Sequence, residues 1–155
     1  MVFIRLSLGN FNHHNIIKYC SRPFKDIEEM NNAIITRHNT IVGENDIVIC
    51  LGDVSFHNGM EFISKMNGNF ICIKGNHDDK EYRSQSLARI DICYKKYKFL
   101  CCHDPRRIFG KYTLNIVGHV HNQWKFKKDR HLLNVSVDVW DFKPVSLEDV
   151  IKYCH

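Results

Sequence analysis

Apolar positions follow two rhythms along the chain. In the first half, short unbroken apolar runs alternate with longer amphipathic ones. MVFIRLSL predicts a strand over residues 2–8, and DIVICL (46–51) and NFICIK (69–74) are β-branched runs of the buried-strand type. Between the first two lie residues 25–42, where Ile27, Met30, Ile34 and Ile41 recur at near-helical spacing behind Pro23 and ahead of Gly43. That pattern predicts a helix. Residues 59–67 predict another with Gly68 as its C-cap, and residues 79–89 a third. The second half reads differently. IDICY, YKFLCC, TLNIVG and LLNVSVDVW predict successive strands, with KFKKDR (125–130) as the solvated tip of a hairpin. SLEDVIKYC predicts a closing helix capped by Ser146, with Asp149 completing a capping-box-like pattern. Helices between the early strands and strands throughout the later half imply an α/β protein, two packed sheets flanked by helices.

Composition adds bounds. The 155 residues suit one domain over 1–155, because no repeat, low-complexity segment or Pro/Gly/Ser-rich linker marks a boundary. No apolar run approaches the roughly 20 residues that span a bilayer. Arg5 interrupts the first apolar stretch, and no small-residue cleavage site follows it. The expected compartment is therefore the cytoplasm, with no membrane partner. Seven cysteines without a CxxC pair argue against a disulfide framework or a zinc ribbon; Cys50, Cys72, Cys101 and Cys102 are expected as small buried core residues. The formal charge of +5 favours an anionic partner, and the KFKKDR cluster leaves a nucleic-acid-binding module open as a reading.

Candidate chemistry sits at the ends of the predicted strands. Gly52-Asp53, Gly75-Asn76-His77-Asp78, Cys102-His103-Asp104-Pro105 and Gly118-His119-Val120-His121 each follow one. Taken singly they have ordinary readings: a turn, a turn with a helix N-cap, strand histidines paired with carbonyls. Together they place carboxylate, amide and imidazole groups beyond strand carboxyl ends, where ligands of α/β folds collect. These are the ligand types of manganese, iron, zinc or a related divalent ion. His119 and His121 are two apart, so on an extended segment both would point one way.

GD, GNHD, a lone histidine after a strand and GHxH resemble the signature of the calcineurin-like metallophosphoesterases. The similarity runs over nearly the whole chain. NFNHHNIIKYCSRPF and NVSVDVWDFKPVSLEDV resemble the small single-domain bacterial and phage-type branch, which lacks a cap domain. The resemblance implies a four-layer αββα sandwich of two mixed sheets, and hydrolysis of a phosphomonoester or phosphodiester by water activated between two metals. It implies that Asp53 bridges the metals, that Asn76, His103 and His119 complete the second site, and that His121 belongs to the first. His77 would stand beside the phosphate as general acid or electrostatic stabiliser, with Asp78 orienting its ring. Manganese, iron, zinc or nickel would be the cofactor, and a phosphate ester, a nucleotide or nucleic acid among them, the partner.

One motif departs from the family. The first strand of this branch typically ends S-D-T-H-F-x-H-x-N-I-I; here the same frame reads Ser7-Leu8-Gly9-Asn10-Phe11-Asn12-His13-His14-Asn15-Ile16-Ile17. Leu8 and Asn10 replace two ligands of the first metal, Leu8 as a core residue and Asn10 as a weak neutral oxygen. The expectation is one tight metal site and one weakened site. His13, Arg106 and Arg107 are candidate substrate contacts, against solvated-surface readings for each. Asp138 is either a support for a histidine or part of an ion pair. A degenerate domain of this fold that binds a phosphorylated ligand or partner remains the alternative to an enzyme.

Overall fold

The computed structural model describes residues 3–7 and 9–155; Leu8, with the packing role expected of it, lies outside the described residues. Two mixed sheets flanked by helices form the architecture that the alternating pattern implied. The first sheet joins β1 (Ile4–Ser7), β2 (Ile47–Cys50) and β3 (Asn69–Cys72) in parallel, in the order β3-β2-β1. β9 (Val145–Ser146) is added antiparallel to β1. In the second sheet β4 (Arg89–Tyr94) forms a hairpin with β5 (Tyr97–Cys102). β6 (Leu114–Val117) and β8 (Leu132–Asn134) follow β5 in parallel, and β7 (Phe126–Lys127) closes the edge antiparallel to β8. The β7–β8 hairpin carries Lys128–Arg130 at its tip, as KFKKDR predicted.

Strand periodicity builds the layers. Ile49 and Leu51 face the space between the sheets, where Leu6, Ile73, Phe99, Cys101, Ile116 and Leu133 meet them. Cys50, pointing the other way, packs with Phe11, Met30, Ile34, Phe62 and Tyr82 under the helices. Those helices are α1 (Ile16–Tyr19), α2 (Ile27–Ile41), α3 (Gly59–Ser64) and α4 (Lys80–Ser84). On the far face, Leu100, Cys102, Val117 and Leu132 are covered by Ile108, Tyr112 and Trp124 next to a 3-10 turn, Pro105–Arg107. Each such side chain contributes about 1.5–3 kcal/mol by leaving water. All seven cysteines are free thiols, and Cys50, Cys72, Cys101 and Cys102 are buried as expected, while Cys93 on β4 is exposed.

The cap expected at Ser146 is present, and Asp26 caps a second helix. Asp26 accepts the Glu29 N–H at 2.8 Å to start α2. Ser146 accepts the Asp149 N–H at 3.1 Å to start α5 (Leu147–Ile151) and donates its hydroxyl to the Asp149 carboxylate. Three expectations change. α3 stops at Ser64 with Lys65 as its cap, so Gly68 is not the C-cap. α4 is only five residues long, because Leu87 leaves it to join the sheet edge: its N–H donates to Cys72 O and its carbonyl accepts from Lys74. The run 132–140 is a strand only as far as Asn134. Beyond it the chain turns through Val137–Val139, where the Asn134 carbonyl accepts the Trp140 indole N–H and its side-chain oxygen accepts the Ser136 N–H.

Candidate metal centre

The loops after β1, β2, β3, β5 and β6 meet at one edge of the sandwich. Their closest approach is between Gly52 and Gly75. A Cβ on Gly52, at φ +83°, would stand 2.4 Å from the Gly75 nitrogen, and one on Gly75 would stand 2.2 Å from the Asp53 nitrogen. These glycines serve loop-to-loop contact. Asp78 locks it: its carboxylate accepts the backbone N–H groups of Asp53 (2.9 Å), Val54 (2.6 Å) and Gly75 (2.7 Å). The Asp78 carboxylate thus serves backbone groups of both loops. Burial pushes its pKa up even so.

Around Asp53 the arrangement is one of facing acceptors. Asp53 is buried and left-handed (φ +48°), and its Oδ1 accepts the His77 N–H at 2.9 Å. Its Oδ2 is buried without a hydrogen bond, 3.2 Å from His103 Nε2. His103 Nδ1 lies 2.7 Å from the Leu51 carbonyl. A carbonyl only accepts, so Nδ1 carries a proton, and in the neutral ring the Nε2 lone pair is the one that faces Asp53. His119 Nδ1 lies 3.2 Å from that same Nε2, and the Asn76 amide 3.3 Å from His119 Nδ1. A half-turn of the amide exchanges Nδ2 for Oδ1. Protons on the right ring nitrogens make these contacts hydrogen bonds, and with a metal cation among them every one of these atoms can instead present a lone pair. Burial opposes charge on His103, but Asp53 outweighs it and the ring is held above its ordinary pKa; burial and His103 push His119 down. Asp53, His103 and His119 can each place a donor atom within 4.8 Å of the others. The donor set and the orphaned Oδ2 fit a divalent ion.

The other half of the loop cluster is closed by an ion pair. Arg22 Nε and Nη2 donate to the two oxygens of Asp138 at 2.7 and 2.8 Å, with both side chains buried. Arg22 Nη1 donates to the Gly9 carbonyl at 3.3 Å, and Ser136 Oγ to Asp138 at 2.8 Å. His121 Nδ1 is 3.9 Å from Asp138 and 3.5 Å from the amide of buried Asn10. Cys20, His121 and Asp138 also have donor atoms within 4.8 Å of one another, but the guanidinium already neutralises the carboxylate. Asp138 is thus both in an ion pair and beside a histidine.

His119 and His121 do not share an extended segment. Both are left-handed (φ +66° and +45°) in a tight turn after β6. Asn134 holds that turn, its amide donating to the His121 and Trp124 carbonyls at 2.7 Å each. The turn sends His119 to Asp53 and His121 to Asp138.

No family model matches the chain. It is 38% identical over 162 residues to the uncharacterized protein MJ1445 of Methanocaldococcus jannaschii, covering 95% of this chain and 88% of that one. The chain belongs to the same family as that archaeal protein. Among solved structures, the protein of unknown function AQ665 from Aquifex aeolicus is similar with a TM-score of 0.79 and 23% identity, over 98% of this chain and 99% of that one. A novel archaeal phosphodiesterase reaches 0.51 at 18% identity, covering 86% and 81%. Vps29 from Entamoeba histolytica, complexed with zinc, reaches 0.51 at 15%, covering 86% and 73%. At these identities the likeness is one of fold.

The remaining site expectations divide. His77 is exposed, its ring 5.2 Å from Phe56, which packs in turn against His13 at 4.8 Å. His13 Nδ1 accepts the Ile16 N–H, so it is anchored at the rim of the cluster. Arg106 is engaged within the chain. Its fork grips Asp104 at 2.7–3.0 Å and holds that carboxyl down to about 2. Arg107 lines an open cleft. Sequence reasoning gave Arg22 and Asn134 no role: both stand in the segments that carry the branch resemblance, but their partners lie elsewhere in the chain. Among the described residues no helix is long and apolar enough to cross a membrane.

Proposed function

We propose that this protein is a metal-dependent phosphoesterase with one tight metal site. The observation that carries the reading is the buried Asp53 Oδ2 without a hydrogen bond, facing the ring nitrogens of His103 and His119. Asp53, His103 and His119, with the Asn76 amide oxygen, would hold the ion. A divalent ion bound there supplies Lewis acidity toward a phosphoryl oxygen and a more acidic water. Manganese, iron, zinc and nickel all suit these ligands. The likeness in fold to an archaeal phosphodiesterase and to zinc-bound Vps29 supports the reading.

The chain's own residues supply the rest. Asp78 and the two glycines hold the Asp53 and Asn76 loops in contact. The Leu51 carbonyl fixes the tautomer that presents His103 Nε2 to the ion. His77, exposed at the mouth and tied to Asp53 through its backbone N–H, is placed to donate a proton to the departing oxygen. In the other half, Arg22 supplies a fixed positive charge where the resemblance puts the first metal, and Asn10 and His121 are its neighbours.

That closed ion pair favours a second reading, a domain that binds phosphate esters without turning them over. Metal content per chain, measured on the same sample as hydrolysis of methyl p-nitrophenyl phosphate with added manganese, separates the two. One metal per chain with turnover that His77→Ala lowers by about 10²–10⁴-fold supports the enzyme. One metal with no turnover supports the binding domain. Two tightly held metals would overturn the single-site proposal.

A further inference from the structure

A cleft of about 500 Å³ opens directly from the metal centre, sharing Asn76 and His103 with it. That volume lies in the range of small-molecule sites. Its lining is cationic: Lys74, Arg83, Arg89 and Arg107. The acidic side chain on its wall, Asp104, is already neutralised by Arg106. Its aromatic wall is Phe109, 53% exposed although the Arg89 guanidinium sits 3.9 Å over the ring. A large apolar ring left in water beside a basic cleft is what a planar, anionic ligand needs. Bases stack on aromatic faces and on guanidinium planes, and phosphates pair with arginine.

We propose that this cleft seats the nucleoside arm of a nucleotide phosphodiester. The scissile phosphate would lie at Asn76 and His103, the base against Phe109 and Arg89, and any further phosphate toward Arg107. Arg83 donates to the Gly75 carbonyl at 2.7 Å and so stiffens the wall nearest the metal loops. The basic hairpin tip at Lys128–Arg130 has no part in it. The inference rests on the phosphoesterase reading for the place of the scissile phosphate, and it names the substrate class that reading leaves open.

The test compares two diesters with the same leaving group, thymidine 5′-(p-nitrophenyl phosphate) and methyl p-nitrophenyl phosphate, with added manganese. Binding of thymidine 3′,5′-bisphosphate and of methyl phosphate to the metal-loaded protein is measured alongside by calorimetry. The nucleotide should bind at least about tenfold more tightly than methyl phosphate. Phe109→Ala should weaken it about tenfold, a usual worth for one stacked base. Arg107→Ala should weaken it too and flatten its salt dependence, while Lys128→Ala should change nothing. If the diesters turn over, the thymidine-to-methyl ratio of kcat/KM should fall in the Phe109 variant through KM. All three substituted side chains are exposed, so folding is expected to survive and circular dichroism checks it. Equal binding of the two ligands, or an unchanged ratio in Phe109→Ala, would overturn the cleft assignment while leaving the phosphoesterase reading standing. Tight, Phe109-dependent nucleotide binding without hydrolysis of either diester would overturn the phosphoesterase reading and support the cleft.

Discussion

Around Asp53, buried acceptors face one another across about the width of an ion; around Asp138, a carboxylate of similar burial is saturated by a guanidinium and a hydroxyl. Each region contributes one histidine of Gly118-His119-Val120-His121, so the two differ less in ligand type than in what already neutralises them. Among the described residues, the Asp53 half has no cationic side chain of its own beyond what a proton on His103 would supply, so it leaves room for an added cation. The Asp138 half carries its cation in the chain, and a divalent ion there would meet Arg22 at close range. The presence of His, Asp and Cys side chains within a few ångströms is therefore not enough to make a metal site; their unspent charge decides.

Removing the internal cation should have the largest effect. Arg22→Met leaves a buried carboxylate unpaired and should cost about 3–5 kcal/mol in urea unfolding. Added zinc should restore part of that loss by binding Asp138 and His121; a variant as stable as the parent would break the comparison. Next comes the other carboxylate. Asp53→Asn should weaken metal binding by at least about 10²-fold, taking the penalty for an outer-sphere change as a floor, with metal content per chain as the readout. Gly75→Ala, whose methyl would press on the Asp53 nitrogen, should cost about 1–3 kcal/mol and weaken metal binding by forcing the two loops apart. The smallest change is expected from His121→Ala, which should leave the metal content near one per chain, whereas His119→Ala should abolish it. Equal losses in the two histidine variants would mean that the halves act as one binuclear site. Chelation sharpens the contrast: removing metal should lower the parent's Tm, because an ion bound only to the folded state stabilises it, and should not change that of Asp53→Asn.

The periodic segments were legible because period determines burial. Unbroken apolar runs such as DIVICL and FLCC predict strands covered on both faces, and the structure buries their successive side chains on opposite sides of the sheets. Ser146 and the hairpin at KFKKDR were equally local. Short polar stretches were less legible. The helix expected over 79–89 yields to strand pairing at Leu87, and the strand expected over 132–140 stops at Asn134, because hydrogen bonds to distant parts of the chain outweigh local propensity.

For the site, the sequence by itself determined which residue types stand at which strand ends, since motif spacing and strand position are both local. Only the tertiary structure decided which of those residues are free to act. Asp78 is consumed by three backbone N–H groups, Arg106 by Asp104, and Asp138 by Arg22, more than a hundred residues away in the chain. Charge compensation depends on distance in space, and sequence separation carries almost none of that information.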